Sequence, residues 1–559
     1  MRKILVLHLS RMGDLVQSVP FLTALKTGSP EPEIHLLVEK AFASVTKLLP
    51  YHDVVHEISL DEILPPLHEA AQVNSLDLFR LFQEKVGALR NEGFDEIWNL
   101  THTRPSMILT YLIGGDKGRG VTVDKQGFQL VRSPWLRYFF ATNLARPYCQ
   151  FNLVDIYAQC AGPISAKREI VLHPEKAAEE YTEALFSQRG LESGKPIAMQ
   201  LGAAHASKRW PAKSFRQLAE LIWQRLERPV IVLGHASETE LARELCETPG
   251  VISLVGQTTI PQLFSVVRRC AALISNDTGT MHVAAGAGVP VIAITLGTAL
   301  GSETAPYGEG HIVIEPDLPC FPCSYLRPCR TLHCHEAISA DMIFEILQWI
   351  LDHGAPLRNI PSGARIYQTA TNPQDHMLEL RPLAPCEPSL RDHLHGIVRP
   401  LWRQVLTGAA EMALKETVPF SPEISRLKTF AERALPLISR ALAELETMSA
   451  LCQQRPVPTH SLWRSTQTLA QIDGQLEVLL DAHALLRSFW NFAALTKASV
   501  EDAALEMQVK ETVHAYQDLK FLLEGFRDSL PNRQIIPEKY ERQNRKDICH
   551  EGLSERTRA

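Results

Sequence analysis

Through the first 350 residues, short apolar runs alternate with amphipathic stretches. Lys3 to Leu9 is rich in Leu and β-branched residues and predicts a strand. Ser18 to Lys26 has helical spacing, with Pro20 in the first turn, where a missing N–H costs little. Glu33 to Val38 and Glu96 to Leu100 read as further strands. A second series begins near Lys195. It predicts strands at Ile197–Leu201, Val230–Leu233, Ile252–Leu254, Ala272–Ser275 and Val289–Thr295, and helices at Lys213–Leu226, Glu238–Glu247, Gln262–Cys270 and Asp277–Gly288. Strands that alternate with helices need crossover connections, hence parallel sheets covered on both faces. Such sheets bind ligands at the carboxyl ends of their strands.

The texture changes after residue 355. Pro and Asn punctuate 356–389, which reads as a linker. From 390 to 528 strand signals vanish, and Leu, Ala, Glu and Arg dominate; three or four helices are expected there, packed as a bundle of unknown role. Ser421-Pro422 reads as an N-cap followed by Pro at the first helical position, and Ser499 with Asp502 as a capping box. Residues 529–559 form a charged tail expected to be disordered.

Composition narrows the class. The 559 residues are 45% hydrophobic and 21% charged with a net charge of −6, ordinary for a globular chain and unlike a nucleic-acid binder. The basic start and short apolar run lack a signal-peptide cleavage site, and no apolar stretch is long enough to span a bilayer, so a cytoplasmic protein is expected, at most resting on the inner face of the membrane. In that compartment the eleven cysteines are thiols or metal ligands rather than a disulfide framework.

Three segments carry candidate chemistry. Ser10-Arg11-Met12-Gly13-Asp14 closes the first strand and opens a helix. Gly13 lets the backbone approach a ligand, and the Asp14 carboxylate either takes a proton as a general base or simply caps the helix. Gly202-Ala203-Ala204-His205-Ala206-Ser207-Lys208-Arg209-Trp210-Pro211 follows a strand; its two cations suit phosphate, or the turn is merely solvated and anchored by Trp210. Asn276-Asp277-Thr278-Gly279-Thr280-Met281-His282 leads into a helix of small residues. Free backbone N–H groups and the helix dipole favour a diphosphate there, with Thr280 as a hydroxyl donor; the plain alternative is an Asp277 cap and a packed His282. Glu238, four residues past Gly234, suits a ribose or a surface helix start.

Together these segments resemble glycosyltransferase family 9, the ADP-heptose:lipopolysaccharide heptosyltransferases, over roughly residues 1–350. The resemblance implies an α/β GT-B fold of two Rossmann-like domains, 1–175 for the acceptor and 190–355 for the nucleotide sugar, followed here by an all-α region. It implies an inverting transfer of heptose from an ADP-sugar to a lipid-linked or polysaccharide acceptor, with no cofactor required. Asp14 would be the base and Lys208 would hold the diphosphate. Gly13, Ala203, Ala204, Arg209, Glu238, Thr258, Asp277, Thr278, Gly279, Thr280 and His282 would line the donor side. Ala203 and Ala204 stand where some relatives carry hydroxyl residues, so any phosphate contact there falls to backbone N–H groups.

Two weaker signals remain. Cys320, Cys323, Cys329 and Cys334 have the spacing of a structural zinc or iron site, or are thiols in a packed loop. Ser133 to Phe140 is an aromatic stretch that fits an interface or a core helix, with Lys117, Arg119 and Arg132 nearby as candidate anion contacts. A nicotinamide dehydrogenase is excluded because Ser10–Asp14 has one glycine where a dinucleotide turn needs more. Two other readings stay open: transfer of a sugar to a protein or another polysaccharide, and a non-catalytic scaffold. The helical region would serve oligomerisation or a protein partner in any of these.

Overall fold

The computed structural model describes residues 2–531 apart from 29, 64–74, 163–167, 192–193, 326–328, 330, 353–362, 384–387, 410–417, 420, 455 and 501–503. The charged tail therefore lies almost wholly outside the described residues.

The first half is a six-stranded sheet in the order β3-β2-β1-β4-β5-β6: β1 Lys3–His8, β2 Glu33–Glu39, β3 Val54–Ile58, β4 Glu96–Asn99, β5 Gly118–Val123 and β6 Gln129–Val131. All neighbours pair in parallel except β5 with β6. Ile4 and Val6 of β1 face one apolar core and Leu5 and Leu7 the other, so the strand is buried on both sides, as its unbroken apolar run requires.

The second sheet has eight strands in the order β14-β13-β12-β11-β10-β7-β8-β9. They are β7 Ile197–Gln200, β8 Val230–Leu233, β9 Val251–Ser253, β10 Ala272–Asn276, β11 Val291–Ile294, β12 Ile312–Pro316, β13 Ala364–Thr371 and β14 Leu378–Pro382. β7 to β12 are parallel, while β13 and β14 pair antiparallel at the edge. In each sheet the strand order reverses once, between β1 and β4 and between β7 and β10. Those switch points are where a doubly wound sheet opens a crevice.

Three expectations change. Residues 364–382, read as linker, form the β13–β14 hairpin, because Ile366, Tyr367 and Leu378 find buried places on the second sheet that the surrounding Pro and Asn residues had masked. The Glu238–Glu247 helix is broken into short turns around Thr239–Arg243. Ser499 ends the helix Ala484–Ala498 instead of starting one: its hydroxyl donates to the Leu495 and Val131 carbonyls. Its expected partner Asp502 lies outside the described residues.

Beyond the hairpin there are five helices among the described residues, not three or four: Leu390–Thr407, Pro422–Cys452, Thr459–Leu480, Ala484–Ala498 and Leu505–Ser529. Ser421 caps the second, accepting from Ile424 N at 3.2 Å. The aromatic stretch after Ser133 forms the helix Pro134–Thr142, with Trp135 and Tyr138 buried in the core. Trp402 from the helical region meets Tyr138 edge-on at 5.1 Å, and Phe489 and Phe492 close the cluster. Lys117, Arg119 and Arg132 donate to backbone carbonyls at 94, 116 and 118. Among the described residues, no helix is long and apolar enough to cross a membrane.

Trp402 joins the first domain to the helical region, so Trp402→Ala should cost about 3–5 kcal/mol, the range for emptying a large aromatic site. Denaturant unfolding followed by tryptophan fluorescence and circular dichroism measures this. A loss below about 1 kcal/mol would show that the helices do not rest on this cluster.

Candidate active site

The two switch points face one another. On the first domain, the chain leaves β1 and turns at Arg11 into the helix Met12–Gln17. On the second, β10 ends at Asn276 and the helix Gly279–Gly286 begins, its N-cap at Thr278 rather than at Asp277. Gly13 and Gly279 touch. A Cβ on Gly13 would lie 3.0 Å from Gly279 Cα and 3.1 Å from His282 Cδ2; one on Gly279 would lie 2.7 Å from Met12 Cε and 3.0 Å from Gly13 N. A side chain on either glycine would force the facing loop to shift by a few tenths of an ångström.

Asp14 follows immediately. Its Oδ2 accepts the Arg11 backbone N–H at 3.3 Å, so it does cap its own helix. Burial pushes its carboxyl above the ordinary range, and the Asp277 charge adds to this, against the opposing pull of Arg11 and Lys208. Asp14 thus shares an electrostatic neighbourhood with Asp277 and Lys208 of the other domain.

Lys208 Nζ and Asp277 Oδ2 form an ion pair at 2.6 Å with both side chains nearly buried. Burial alone would raise the Asp277 carboxyl, but the ammonium beside it outweighs burial and holds it below the usual value. The Lys208 turn is fixed from beneath. Trp210 is buried, with Nε1 donating to the Ile338 carbonyl at 2.9 Å and its backbone N–H to Asn276 Oδ1 at 2.9 Å. Asn276 Nδ2 reaches the Leu201 carbonyl at 2.7 Å, tying the ends of β7 and β10 together. Arg209 turns inward to the Ala203 carbonyl at 2.9 Å; Ala203 is buried and Ala204 exposed.

Thr280 does not offer its hydroxyl to the crevice: it donates to Gln200 Oε1 at 3.1 Å and is buried. The Thr278 hydroxyl pairs with Ser275 at 3.1 Å. His282 is buried, and burial drops its pKa to about 4, so it is neutral near pH 7. Glu238 lies over the ends of β7 and β8, taking Gln200 Nε2 at 2.9 Å and His235 N at 3.1 Å. Cβ atoms on Gly202 and Gly234 would fall 1.6 and 2.5 Å from its carboxylate oxygens, which explains both glycines. Thr258 lies in the loop ahead of the helix Ile260–Arg268.

Sequence reasoning missed a second contact across the domains. Arg146 Nε donates to Glu303 Oε2 at 2.8 Å, its Nη1 donates to the Thr298 carbonyl, and its guanidinium lies 4.5 Å from the centre of the Tyr325 ring. The next residue, Thr304, donates its hydroxyl to the Leu300 carbonyl at 3.2 Å and is near enough to Asp277 to help lower its carboxyl, so the clasp adjoins the Lys208 pair. No local pattern marks Arg146: it lies in an irregular turn, and its partner is 157 positions away.

The four cysteines occupy the loop that also carries Tyr325. Cys320, Cys323, Cys329 and Cys334 are all free thiols, and Cys329 Sγ accepts Leu332 N–H at 3.4 Å. Burial pushes the Cys323 thiol up to about 11, and the three other cysteines add to this. Among the described residues, no three His, Cys, Asp or Glu side chains are arranged to hold a metal ion, so the zinc or iron reading of the spacing enters no step below.

Residues 87–333 match glycosyltransferase family 9 (heptosyltransferase). The chain is 25% identical over 345 residues to lipopolysaccharide heptosyltransferase 1 of Pseudomonas aeruginosa, covering 57% of this chain and 86% of that protein. It is 23% identical over 317 residues to lipopolysaccharide heptosyltransferase 2 of Escherichia coli K12, covering 52% and 82%. Among solved structures it is similar to the glycosyl transferase family 9 protein of Veillonella parvula, with a TM-score of 0.50 and 20% identity over 63% of this chain and 98% of that one. That likeness concerns the fold.

Gly13→Ala tests the glycine contact. The added methyl should cost about 1–3 kcal/mol in the closed arrangement, as overpacking does, while each domain keeps its own core. Small-angle scattering should show a larger radius of gyration, and turnover should fall about ten-fold or more. Unchanged scattering and turnover would refute the contact.

Proposed function

We propose that the two-sheet part of this chain, which belongs to glycosyltransferase family 9 and is a glycosyltransferase, moves a heptose from ADP-heptose to a lipopolysaccharide core or related envelope glycan, with inversion, in a GT-B arrangement. The observation that carries the reading is the meeting of a proton acceptor from one domain with a cation and a helix start from the other, at the Gly13–Gly279 contact.

The chemistry is a single displacement. The acceptor hydroxyl gives its proton to the Asp14 carboxylate as its oxygen bonds the anomeric carbon; the bond from that carbon to the diphosphate breaks, and ADP leaves with the electron pair. A carboxyl held above its ordinary pKa is a stronger base than a solvated one, provided it is ionised at the working pH. The leaving diphosphate is met by Lys208 and by the N-terminal amides of Gly279–Gly286, a fixed electrostatic arrangement. Asp277 orients Lys208 before the donor arrives. Glu238 would take the ribose hydroxyls. Contact between the two domains excludes water that would otherwise hydrolyse the donor. The enzyme would work in the cytoplasm, on an acceptor presented at the inner face of the membrane.

A second reading, transfer to a protein or another polysaccharide, draws on the helical region. Helix Ala484–Ala498 packs along Pro134–Thr142 of the first domain, with Arg137 Nη1 reaching Thr496 at 3.5 Å. That puts the added helices beside the acceptor half.

Asp14→Asn should keep the fold and ADP affinity and lose transfer by roughly a hundred-fold or more; isothermal titration with ADP and a transfer assay with ADP-heptose against other nucleotide sugars separate the two. Transfer at the wild-type rate would refute the base assignment, and preference for another nucleotide sugar would refute heptose. The pH profile gives an independent check. Asp14 must be ionised to act and its pKa is raised, so kcat/KM should fall with decreasing pH, along a limb lying above the ordinary carboxylate range. His8 at about 3 and His282 and His102 at about 4 are already neutral there and should contribute no limb between pH 5 and 8.

A further inference from the structure

The second sheet lays its crevice residues out in a line. Its parallel strands run in the order β12-β11-β10-β7-β8. Glu238 lies over the ends of β7 and β8. Lys208 follows β7 and Asp277 follows β10. Thr298 and Glu303 follow β11, and Tyr325 follows β12. A nucleotide sugar is itself a line of ribose, diphosphate and sugar. With the ribose at Glu238 and the diphosphate at Lys208, the sugar falls on the far side of the Lys208 pair, toward Glu303 and Tyr325.

A lone exposed aromatic on a protein surface needs no explanation. Tyr325 differs because its ring and its loop are both held. The Arg146 guanidinium lies 4.5 Å from the ring centre, and Arg146 is itself buried and fixed by Glu303 and the Thr298 carbonyl. The loop is pinned on either side of Tyr325. Cys323 N–H donates to the Gly297 carbonyl at 2.8 Å, and His335 Nε2 donates at 3.1 Å to the Ser207 carbonyl, in the turn that carries Lys208. Tyr325 still keeps 55% of its surface open, with Arg146 over one face of the ring.

The hydroxyl end of Tyr325 looks toward the reacting groups. It lies within electrostatic reach of Arg146, Glu303, Lys208 and Asp277. Partial burial raises the phenol above its usual value, helped by the Glu303 and Asp277 charges against the pull of Arg146 and Lys208, so it keeps its proton near pH 7 and can donate it. A sugar ring presents C–H faces, which pack on a flat apolar surface, and hydroxyls, which need hydrogen-bond partners. An aromatic ring with a polar tip meets both needs.

We propose that Tyr325 contacts the donor sugar, its ring taking a C–H face and its hydroxyl one of the sugar hydroxyls, and so helps decide which nucleotide sugar is used. This role deepens the proposed transfer and rests on it for the presence of a nucleotide sugar. Arg146 is then a positioning residue. It belongs to the first domain, so the ring is backed only while the domains are in contact, and the sugar is gripped when Asp14 is at hand.

The test is binding to the full chain with no acceptor present. ADP, ADP-heptose and ADP-glucose are titrated by calorimetry into the wild type, Tyr325→Phe and Tyr325→Ala. Tyr325→Ala should hold ADP affinity within about two-fold, which also shows that the variant is folded, and should weaken the ADP-sugar that the wild type binds by about ten-fold. Tyr325→Phe keeps the ring and should weaken it by about two- to five-fold. A ring that only props Arg146 would weaken ADP and the ADP-sugar alike, or neither, and either result overturns the sugar contact. If the wild type binds neither ADP-sugar, the transferase reading falls and the Tyr325 role with it. If it prefers ADP-glucose and Tyr325→Ala loses that preference, heptose falls while Tyr325 stands.

Discussion

Two glycines in van der Waals contact set the distance between the halves of this protein. Gly13 and Gly279 meet backbone to backbone, and a methyl on either would crowd the other loop at about 3.0 Å. Asp14 is the residue after one, and Asp277 stands two before the other, so how near these two carboxylates come depends on the absence of two Cβ atoms. The glycines are needed less for their backbone freedom than for what they leave out: both lie in helices with ordinary dihedrals.

That closeness concentrates charge in a place with little water. Asp14, Asp277 and Glu303 are three carboxylates near one another, opposed by Lys208 and Arg146. The pairing is uneven. Asp277 and Glu303 each have a cation within 2.8 Å, while Asp14 has only a backbone N–H at 3.3 Å. The paired carboxylate Asp277 is held low and Asp14 is pushed up. One environment thereby shifts two carboxyls in opposite directions, the kind of split by which acid–base roles separate among like residues.

Much of the fold was legible because the strands are buried on both faces and read as unbroken apolar runs; β8 at Val230–Leu233 falls where the sequence puts it. The hairpin was not legible, because Ala364–Thr371 alternates polar and apolar residues between stretches rich in Pro and Asn, and only the edge of the second sheet makes it a strand. At the site, Gly13, Asp14, Lys208 and Asp277 were visible as local patterns at strand ends. Thr280 was visible and misjudged, since its hydroxyl is committed to Gln200, a partner 80 positions away. Arg146, Glu303, Gln200 and Asn276 act through long-range partners, and a single sequence holds no local trace of such pairs.

The contacts between the domains differ in what it costs to break them. At the crevice they are a van der Waals touch between glycines and the Arg146–Glu303 pair, which lies beside a space that must admit substrate. Between the same domains, Asp155 is fully buried and takes Arg168 at 2.7 Å, the Tyr307 hydroxyl at 2.6 Å and the Leu378 backbone N–H at 3.0 Å. Stripping those partners away would strand a carboxylate in the core, at a cost of about 3–5 kcal/mol. The helix Leu390–Thr407 braces the same contact, bonding both domains through Arg391 to Glu315 and through Arg399 to the Gln150 carbonyl. Such a network costs more to break than a van der Waals touch, so the Asp155 contact is the firmer of the two. The helical addition, through Arg391 and Arg399, adds its bonds to that firmer contact between the domains.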